Sequence, residues 1–323
     1  MGMFGQLFGH GGKKVPPELL SAIERAVSNV EPLLKQTSGY PENFHKPVAI
    51  ALEYTRSLAA RLPGPVMVDR ESYANDAFVH AVFPSIDSVT EAIYSSLDLQ
   101  DYLREFPEIE ELYALMGMRR FEKNTVGMDL SGQTIQRDVV QRLVYFTSHT
   151  LENPSPSEQQ ARNRVAMSFF DSLAGNVKKR VEGRKLEKQS QLLEKDLLVA
   201  RLRTANAQDR PALEEALART LNRIQSTISS LELSNYADDF SVVMLNPEQF
   251  LRLDKKQIIL DSMGIMRDGD DASRGEEFVF NELIGYDRRD WTVAMVRCSN
   301  LHFEPFAERL DKAYRKLAIP SVI

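Results

Sequence analysis

The middle of the chain, from Ser157 to Asn235, carries the most regular apolar spacing in the sequence. Its second half repeats leucine or isoleucine at intervals of three and four residues, the spacing of a helix that keeps one face against another helix. Because such a helix needs a partner, we predict an antiparallel coiled-coil hairpin over residues 156–235. The seam residues of its return arm are Leu213, Leu217, Leu221, Ile224, Ile228 and Leu231.

The outgoing arm has a matching apolar stripe. We predict the turn at 207–211, since the fixed φ of Pro211 suits the first turn of the next helix. At ~1.5 Å per residue, an arm of roughly 45 residues reaches about 65–70 Å, which predicts a hairpin that projects or bridges. The predicted seam positions are Leu186, Leu193, Leu197 and Ala200, with Leu192, Leu198, Val199 and Leu202 on adjacent faces. This excess of apolar positions over one seam predicts self-association through the hairpin.

Composition restricts the class of protein. With 43% apolar and 27% charged residues in 323, the chain is ordinary globular protein, long enough for two domains. Cys298 is the single cysteine, which excludes an intrachain disulfide and a cysteine-rich zinc site and favours a cytoplasmic setting. No apolar run approaches the ~18 residues that cross a bilayer, and the first residues lack a secretion-signal pattern, so we expect no transmembrane segment and no export.

Residues 1–15 are predicted to be a flexible tail, because closely spaced glycines disfavour a helix there. The alternative is a short docking segment in which Phe4, Leu7 and Phe8 enter a membrane surface or the groove of a partner protein.

Residues 16–120 predict a helical domain, a bundle of short helices with joints at prolines. The last of these helices is expected after Pro107, where Ile109, Leu112 and Leu115 follow a helical spacing.

A strand pair is predicted within residues 121–155, which are rich in Val, Tyr, Phe and Thr. Ile135, Val139 and Leu143 also fit a helical spacing, so its second element is either a strand throughout or begins as a helix.

Residues 236–323 predict an α+β domain after the hairpin. Strands are expected at 240–245, 257–266, 277–284 and 291–298, with a short helix at 246–249 and a final helix from Glu304. These strands form either their own sheet or one sheet with 121–155. The predicted fold class is therefore α+β and predominantly helical, with a small, mostly antiparallel sheet and a C-terminal helix.

Candidate chemistry is sparse. The acidic residues of 268–277 do not follow a calcium-loop pattern, and the five histidines lack metal-ligand or triad spacing, so we predict no metal site and no cofactor. Cys298 ends an apolar strand and is expected to be inert. The one basic run that could bind an anion, on the outgoing arm, consists of Lys178, Lys179, Arg180, Arg184, Lys185 and Lys188.

Three functions remain open from the sequence. The first is a cytoplasmic protein–protein interaction or assembly protein that acts through the hairpin, as a homo-oligomer or with another protein. The second is an enzyme with a carboxylate-containing pocket in the C-terminal α+β region, built around Asp287, Asp290 and His302. The third is a nucleic-acid-associated protein that uses the run 178–188, which the net charge of −6 disfavours.

Overall fold

A computed structural model of the chain describes residues 15–131, 134–267, 269–286, 290–299 and 301. Within these residues the protein is α+β and predominantly helical, which confirms the predicted class. The predicted final helix from Glu304 and the predicted tail lie outside the described residues, apart from Val15 of the tail.

The helices of the described residues are α1 Pro17–Val30, α2 Glu42–Ala60, α3 Ser72–Asn75, α4 Ala77–Val82, α5 Ile86–Ser95, α6 Leu97–Glu105, α7 Glu158–Thr204, α8 Arg210–Ser230 and α9 Leu233–Leu245. The strands are β1 Val66–Met67, β2 Glu111–Ser131, β3 Thr134–Ser155, β4 Leu251–Leu260, β5 Glu276–Gly285 and β6 Asp290–Ser299.

Within the described residues the six strands form one sheet, in which five follow the order β3-β2-β6-β5-β4 and the short β1 also pairs with β6. The pairs β2–β3, β2–β6 and β5–β6 are antiparallel, whereas the short β1 runs parallel to β6. Strands that precede the hairpin therefore share a sheet with strands that follow it.

Two compact units make up the chain. The helical unit comprises the described residues up to Ser57 together with Ala166–Leu251, and the sheet unit comprises Leu58–Val165 together with the described residues from Arg252 onward. The predicted helical domain 16–120 is thus divided between the units. The physical reason is that the apolar sides of α4, α5 and α6 join one core with the sheet, because a sheet face must be covered to leave water.

The core of the sheet unit lies against the even-numbered side chains of β2. Leu112, Ala114, Met116 and Met118 are fully buried there. Phe146 of β3 and Phe278 and Phe280 of β5 belong to the same cluster. The predicted helix after Pro107 is wrong, because β2 begins at Glu111. Both faces of β2 are apolar at this point, so its sequence also fits the pattern of a helix.

In the helical unit the first half of α7 is the central element. Its buried side chains include Phe169, Phe170, Leu173, Val177 and Val181. A two-point ion pair joins Arg25 of α1 to Asp171, with a distance of 2.7 Å between Nε and Oδ1. Phe44 of α2 meets Phe240 of α9 edge to face, with 5.0 Å between ring centroids.

The predicted strand at 240–245 is wrong, because these residues end α9. Tyr236, Phe240, Val243 and Met244 are all buried, and their spacing is that of one helix face. The strand predicted at 257–266 lies earlier in the chain, as β4. The predicted strands 277–284 and 291–298 are confirmed as β5 and β6, and the pair within 121–155 is confirmed as the longer β2 and β3, with no helical start in β3.

The two arms predicted for the hairpin are the helices α7 and α8. Glu194 of α7 accepts a hydrogen bond from Thr220 and pairs with Arg223 at 2.6 Å, whereas Arg184 donates to the Ser230 carbonyl of α8. Arg184 thus contacts the end of α8, whereas Glu194, further along α7, contacts residues that come earlier in α8. The two helices therefore run in opposite directions. Their packing as a coiled coil remains a prediction.

Replacing either of two glycines by alanine is predicted to change the free energy of unfolding, with opposite signs at the two positions. Gly183 lies in α7, and a Cβ there would meet no atom within 4 Å, so Gly183→Ala should raise the free energy of unfolding by about 1 kcal/mol through helix propensity. Gly64 has φ +102°, and an added Cβ would lie 2.2 Å from the Met295 carbonyl oxygen. Gly64→Ala should therefore lower the free energy of unfolding. Thermal melts of both variants check the pair; a destabilising Gly183→Ala would mean that α7 is not a continuous helix there.

Candidate functional site: the apolar surface of the helical hairpin

The most exposed apolar residues of the helical unit lie on the outer side of α7. Leu186, Leu193 and Leu197 are 66%, 65% and 59% exposed. The exposed Ala200 continues the same heptad spacing. We call Leu186, Leu193, Leu197 and Ala200 the outer stripe.

The outer stripe does not face α8, contrary to the seam predicted for this arm. The buried residues of α7 at this level are Gln191 and Leu198, with 4% and 8% exposure. Leu193 follows Gln191 by two positions, and two positions correspond to roughly 200° around a helix. The predicted roles of Leu193 and Leu198 are therefore exchanged: Leu198 lies on the inner side and Leu193 on the outer side. Leu202, which was predicted beside the seam like Leu198, is half-buried.

On α8 the inner side is also rotated from the predicted seam. Thr220, Ile224 and Thr227 are buried, whereas Leu221 and Ile228 are 47% and 42% exposed. Leu213, Leu217 and Leu231 are half-buried. The two exposed residues form a second apolar surface, the α8 flank, beside the contact between the helices.

Three of the six basic residues predicted as an anion site already pair with carboxylates of the helical unit. Arg184 pairs with Asp239 at 2.6 Å, and Arg180 lies 3.5 Å from the same carboxylate and over the ring of Phe250. Lys185 pairs with Glu31 at 2.6 Å. Lys178 and Lys188 are half-buried and Lys179 is exposed, with an interaction of its own. Half of the run thus contributes to packing, and its binding of an anion remains a prediction.

Asp239 is 6% exposed and is the shared partner of two arginines. We expect Asp239→Asn to lower the free energy of unfolding by about 2 kcal/mol, because two positive charges lose their counter-charge; their partial exposure reduces the full cost of a broken buried pair. The neighbouring Asp238 is exposed, so Asp238→Asn is the matched control and should change little. Urea unfolding of the two variants measures the difference, and equal stabilities would contradict a structural role for the Asp239 cluster.

A cleft of about 860 Å³ lies in the sheet unit, lined by residues within 73–84, 143–146, 260–264 and 274–278. Its volume lies in the range of small-molecule sites. Its walls carry aromatic rings and polar side chains, among them Tyr73 and His80, whose ring centroids are 5.2 Å apart.

Two carboxylates of the cleft are already engaged. Asp76 caps α4 by accepting from the Val79 N–H at 3.1 Å. Asp261 accepts from the Ile265 N–H at 3.0 Å and from Arg267 Nη2 at 2.7 Å. Both carboxylates stabilise the local structure through these hydrogen bonds. Asp76 and Asp261 are therefore not a pair of free carboxylates for acid–base chemistry.

The predicted pocket around Asp290 does not coincide with this cleft. Asp290 begins β6, where its carbonyl accepts from Arg119 Nη1 at 2.8 Å, and it does not line the cleft. Asp287 and His302 lie outside the described residues. Over the described part of the chain, no cluster of three or more metal-ligating side chains is found, and no helix is long and apolar enough to cross a membrane.

Cys298 is fully buried in β6, and burial raises the pKa of its thiol to about 12. A thiol with a raised pKa stays neutral at ordinary pH, and the thiolate is the nucleophile. We therefore expect no reaction with a thiol reagent at pH 8 in the folded protein and one equivalent after unfolding in urea. Rapid modification of the folded protein, followed by absorbance, would contradict the burial of Cys298.

Comparison of the chain with protein-family models, with curated proteins and with solved structures finds no match.

Proposed function

We propose that this chain is an assembly protein that self-associates through the outer stripe of α7. The observation that carries the proposal is the exposure of three leucines, Leu186, Leu193 and Leu197, at 59–66% on one side of a single helix. Exposed apolar side chains that recur along one face of a helix are unfavourable in water and are typical of interaction surfaces in soluble proteins. Their spacing is that of a seam for another helix.

The stripe is suited to a second copy of itself. Leu186 and Ala200 stand seven residues before and seven residues after Leu193. An antiparallel two-fold axis at Leu193 would therefore place Leu186 of one copy opposite Ala200 of the other, so that apolar residues meet apolar residues on both sides. Isologous contacts of this kind close as dimers, the commonest oligomers.

The test is the solution mass of the wild type beside Leu193→Lys/Leu197→Gln. Both positions are exposed and both replacements are good helix formers, so the variant should keep its helicity. We expect the contact at the stripe to be lost, with a fall in mass measured by light scattering.

Leu221→Lys on the α8 flank is the matched control, since Leu221 is also exposed on a helix, and it should leave the mass unchanged. The reverse result, loss of association only with Leu221→Lys, would move the interface to the flank. A wild type that is monomeric at high concentration contradicts self-association and leaves a foreign protein as the partner of the stripe.

The two alternatives receive less support. The nucleic-acid function would use a run in which Arg180, Arg184 and Lys185 already face carboxylates. The enzymatic function would use the cleft of the sheet unit, whose Asp76 and Asp261 are engaged in local hydrogen bonds. A cytoplasmic location remains an expectation from the single cysteine.

A further inference from the structure

The middle of the β2–β3 ribbon carries a pair of exposed aromatic rings. Phe121 of β2 and its register partner Tyr145 of β3 are 43% and 39% exposed. Their rings are stacked, with 5.5 Å between centroids and an angle of 20° between planes. Aromatic pairs across two strands normally stabilise a sheet by packing. This pair also remains accessible to solvent, so its outward ring faces are open to a ligand.

The pair lies on the side of the ribbon that faces away from the core. Successive side chains of a strand point to opposite sides of the sheet. Val144 and Phe146 are buried in the core of the sheet unit, so Tyr145 between them points outward. The register is regular from Arg119 to Gly127, and alternate residues of both strands therefore share this outward side.

Two basic residues flank the ring of Phe121 along β2. Arg119 precedes it and Lys123 follows it by two positions, so each lies on the same side at roughly 7 Å along the strand. The guanidinium of Arg119 is 5.3 Å from the ring centroid of Trp291 and donates one hydrogen bond to the Asp290 carbonyl. Its remaining N–H groups are available to an anion. We call Arg119, Phe121, Lys123, Tyr145 and Trp291 the aromatic face.

Acidic side chains of the ribbon are kept off this side. Glu122 is on the opposite side, where it pairs with Arg120 and lies 3.9 Å from Arg142. Over residues 119–127 and 139–147, the outward side consists of Arg119, Phe121, Lys123, Thr125, Gly127, Val139, Gln141, Leu143, Tyr145 and Thr147. None of these is acidic, although the whole chain has a net charge of −6. Among the described residues, no carboxylate pairs with Arg119 or Lys123.

We propose that the aromatic face binds single-stranded nucleic acid, with bases stacked on the Phe121–Tyr145 pair and phosphates held by Arg119 and Lys123. Aromatic rings stack on any base, and cations beside them attract the phosphate backbone; proteins that bind single strands combine the two. Charges on both sides of the rings suit an alternation of base and phosphate, and they disfavour burial of the rings in apolar lipid.

This surface is separate from the basic run predicted from the sequence. In that run Arg180, Arg184 and Lys185 face carboxylates of the helical unit. The aromatic face lies in the sheet unit, and it shares no residue with the outer stripe of α7. Failure of the proposed self-association would therefore leave this inference unaffected.

The test is a fluorescence titration of the full chain with a single-stranded oligothymidylate of about ten nucleotides. Trp291 is the only tryptophan of the chain and lies under Arg119, so its emission reports binding at the aromatic face. We expect a saturable change in emission and an affinity that falls as salt is raised. A parallel titration with oligouridylate distinguishes RNA from DNA, and absence of binding to both overturns the proposal.

Removal of the rings tests the stacking. Phe121→Val/Tyr145→Val keeps residues that favour strands and should raise the dissociation constant about tenfold or more, measured by anisotropy of a labelled oligonucleotide. An unchanged constant overturns the proposal. A duplex of the same length should bind more weakly than the single strand, because its bases are already stacked and paired; equal binding overturns the stacking of bases on the face.

A pair of charge variants tests the site without disturbing the rings. Lys123→Gln and Arg142→Gln remove one positive charge each from exposed positions on opposite sides of the ribbon. Lys123→Gln should reduce the slope of log affinity against log salt by about one, whereas Arg142→Gln should leave the slope unchanged. Equal effects of the two variants would mean a general attraction by the chain and would overturn the assignment to this face.

A membrane surface is the alternative partner for rings flanked by cations. Vesicles of phosphatidylserine and phosphatidylcholine are therefore tested beside the oligonucleotides. Binding of the vesicles that is lost in Phe121→Val/Tyr145→Val, without binding of either oligonucleotide, would overturn the proposal and assign the aromatic face to lipid.

Discussion

The packing of the first half of α7 determines what its second half exposes. Val177 is buried in the helical unit, and Gln191 and Leu198 lie roughly 40° and 60° from it around the helix, whereas Leu193 lies roughly 160° from it. A straight helix has no freedom to turn its distal part independently, so this inner side stays inside along the whole hairpin. Leu193 and Leu197 are exposed because the core fixes the rotation of the helix about its axis, although both are more apolar than the buried Gln191.

The β2–β3 ribbon follows the same physical rule with a period of two. The buried residues from Leu112 to Met118 fix which side of β2 faces the core, and Val126 and Met128 inherit that side. The bulge at Asp138 shifts the alternation of β3 by one residue, so that Ile135 lies on the same side as Val140.

The positions of the helices and strands were more predictable from the sequence than the faces that they bury. The long helix, its turn near 207–211 and the strands β5 and β6 were predicted because their periods, prolines and turn residues are local signals. The rotation of α7 was not predictable, since both Leu193 and Leu198 lie in apolar rows and only the tertiary packing of Val177 and Val181 selects between them. The cleft in the sheet unit was not predictable either, because it gathers segments from 73 to 278 that no local pattern connects.

Errors in element type have a related cause: Leu112 and Phe240 both lie in runs that are apolar on most sides, and such runs fit a buried strand and a buried helix equally well. Tertiary context decided, because β6 pairs with Leu112, whereas Phe240 packs against Phe44 of α2.

The distribution of apolar residues along the hairpin is consistent with its proposed role. The inner side uses Gln191, Thr220 and Thr227, although a leucine or isoleucine stands at the next position in each case. An intramolecular contact needs little affinity, because the turn holds the two helices at a high effective concentration. A contact between separate copies must also overcome the loss of translational and rotational freedom, so it requires more apolar area. A chain selected for assembly would therefore place its leucines on the outer stripe and leave the weaker, more polar contact to the arms of the hairpin.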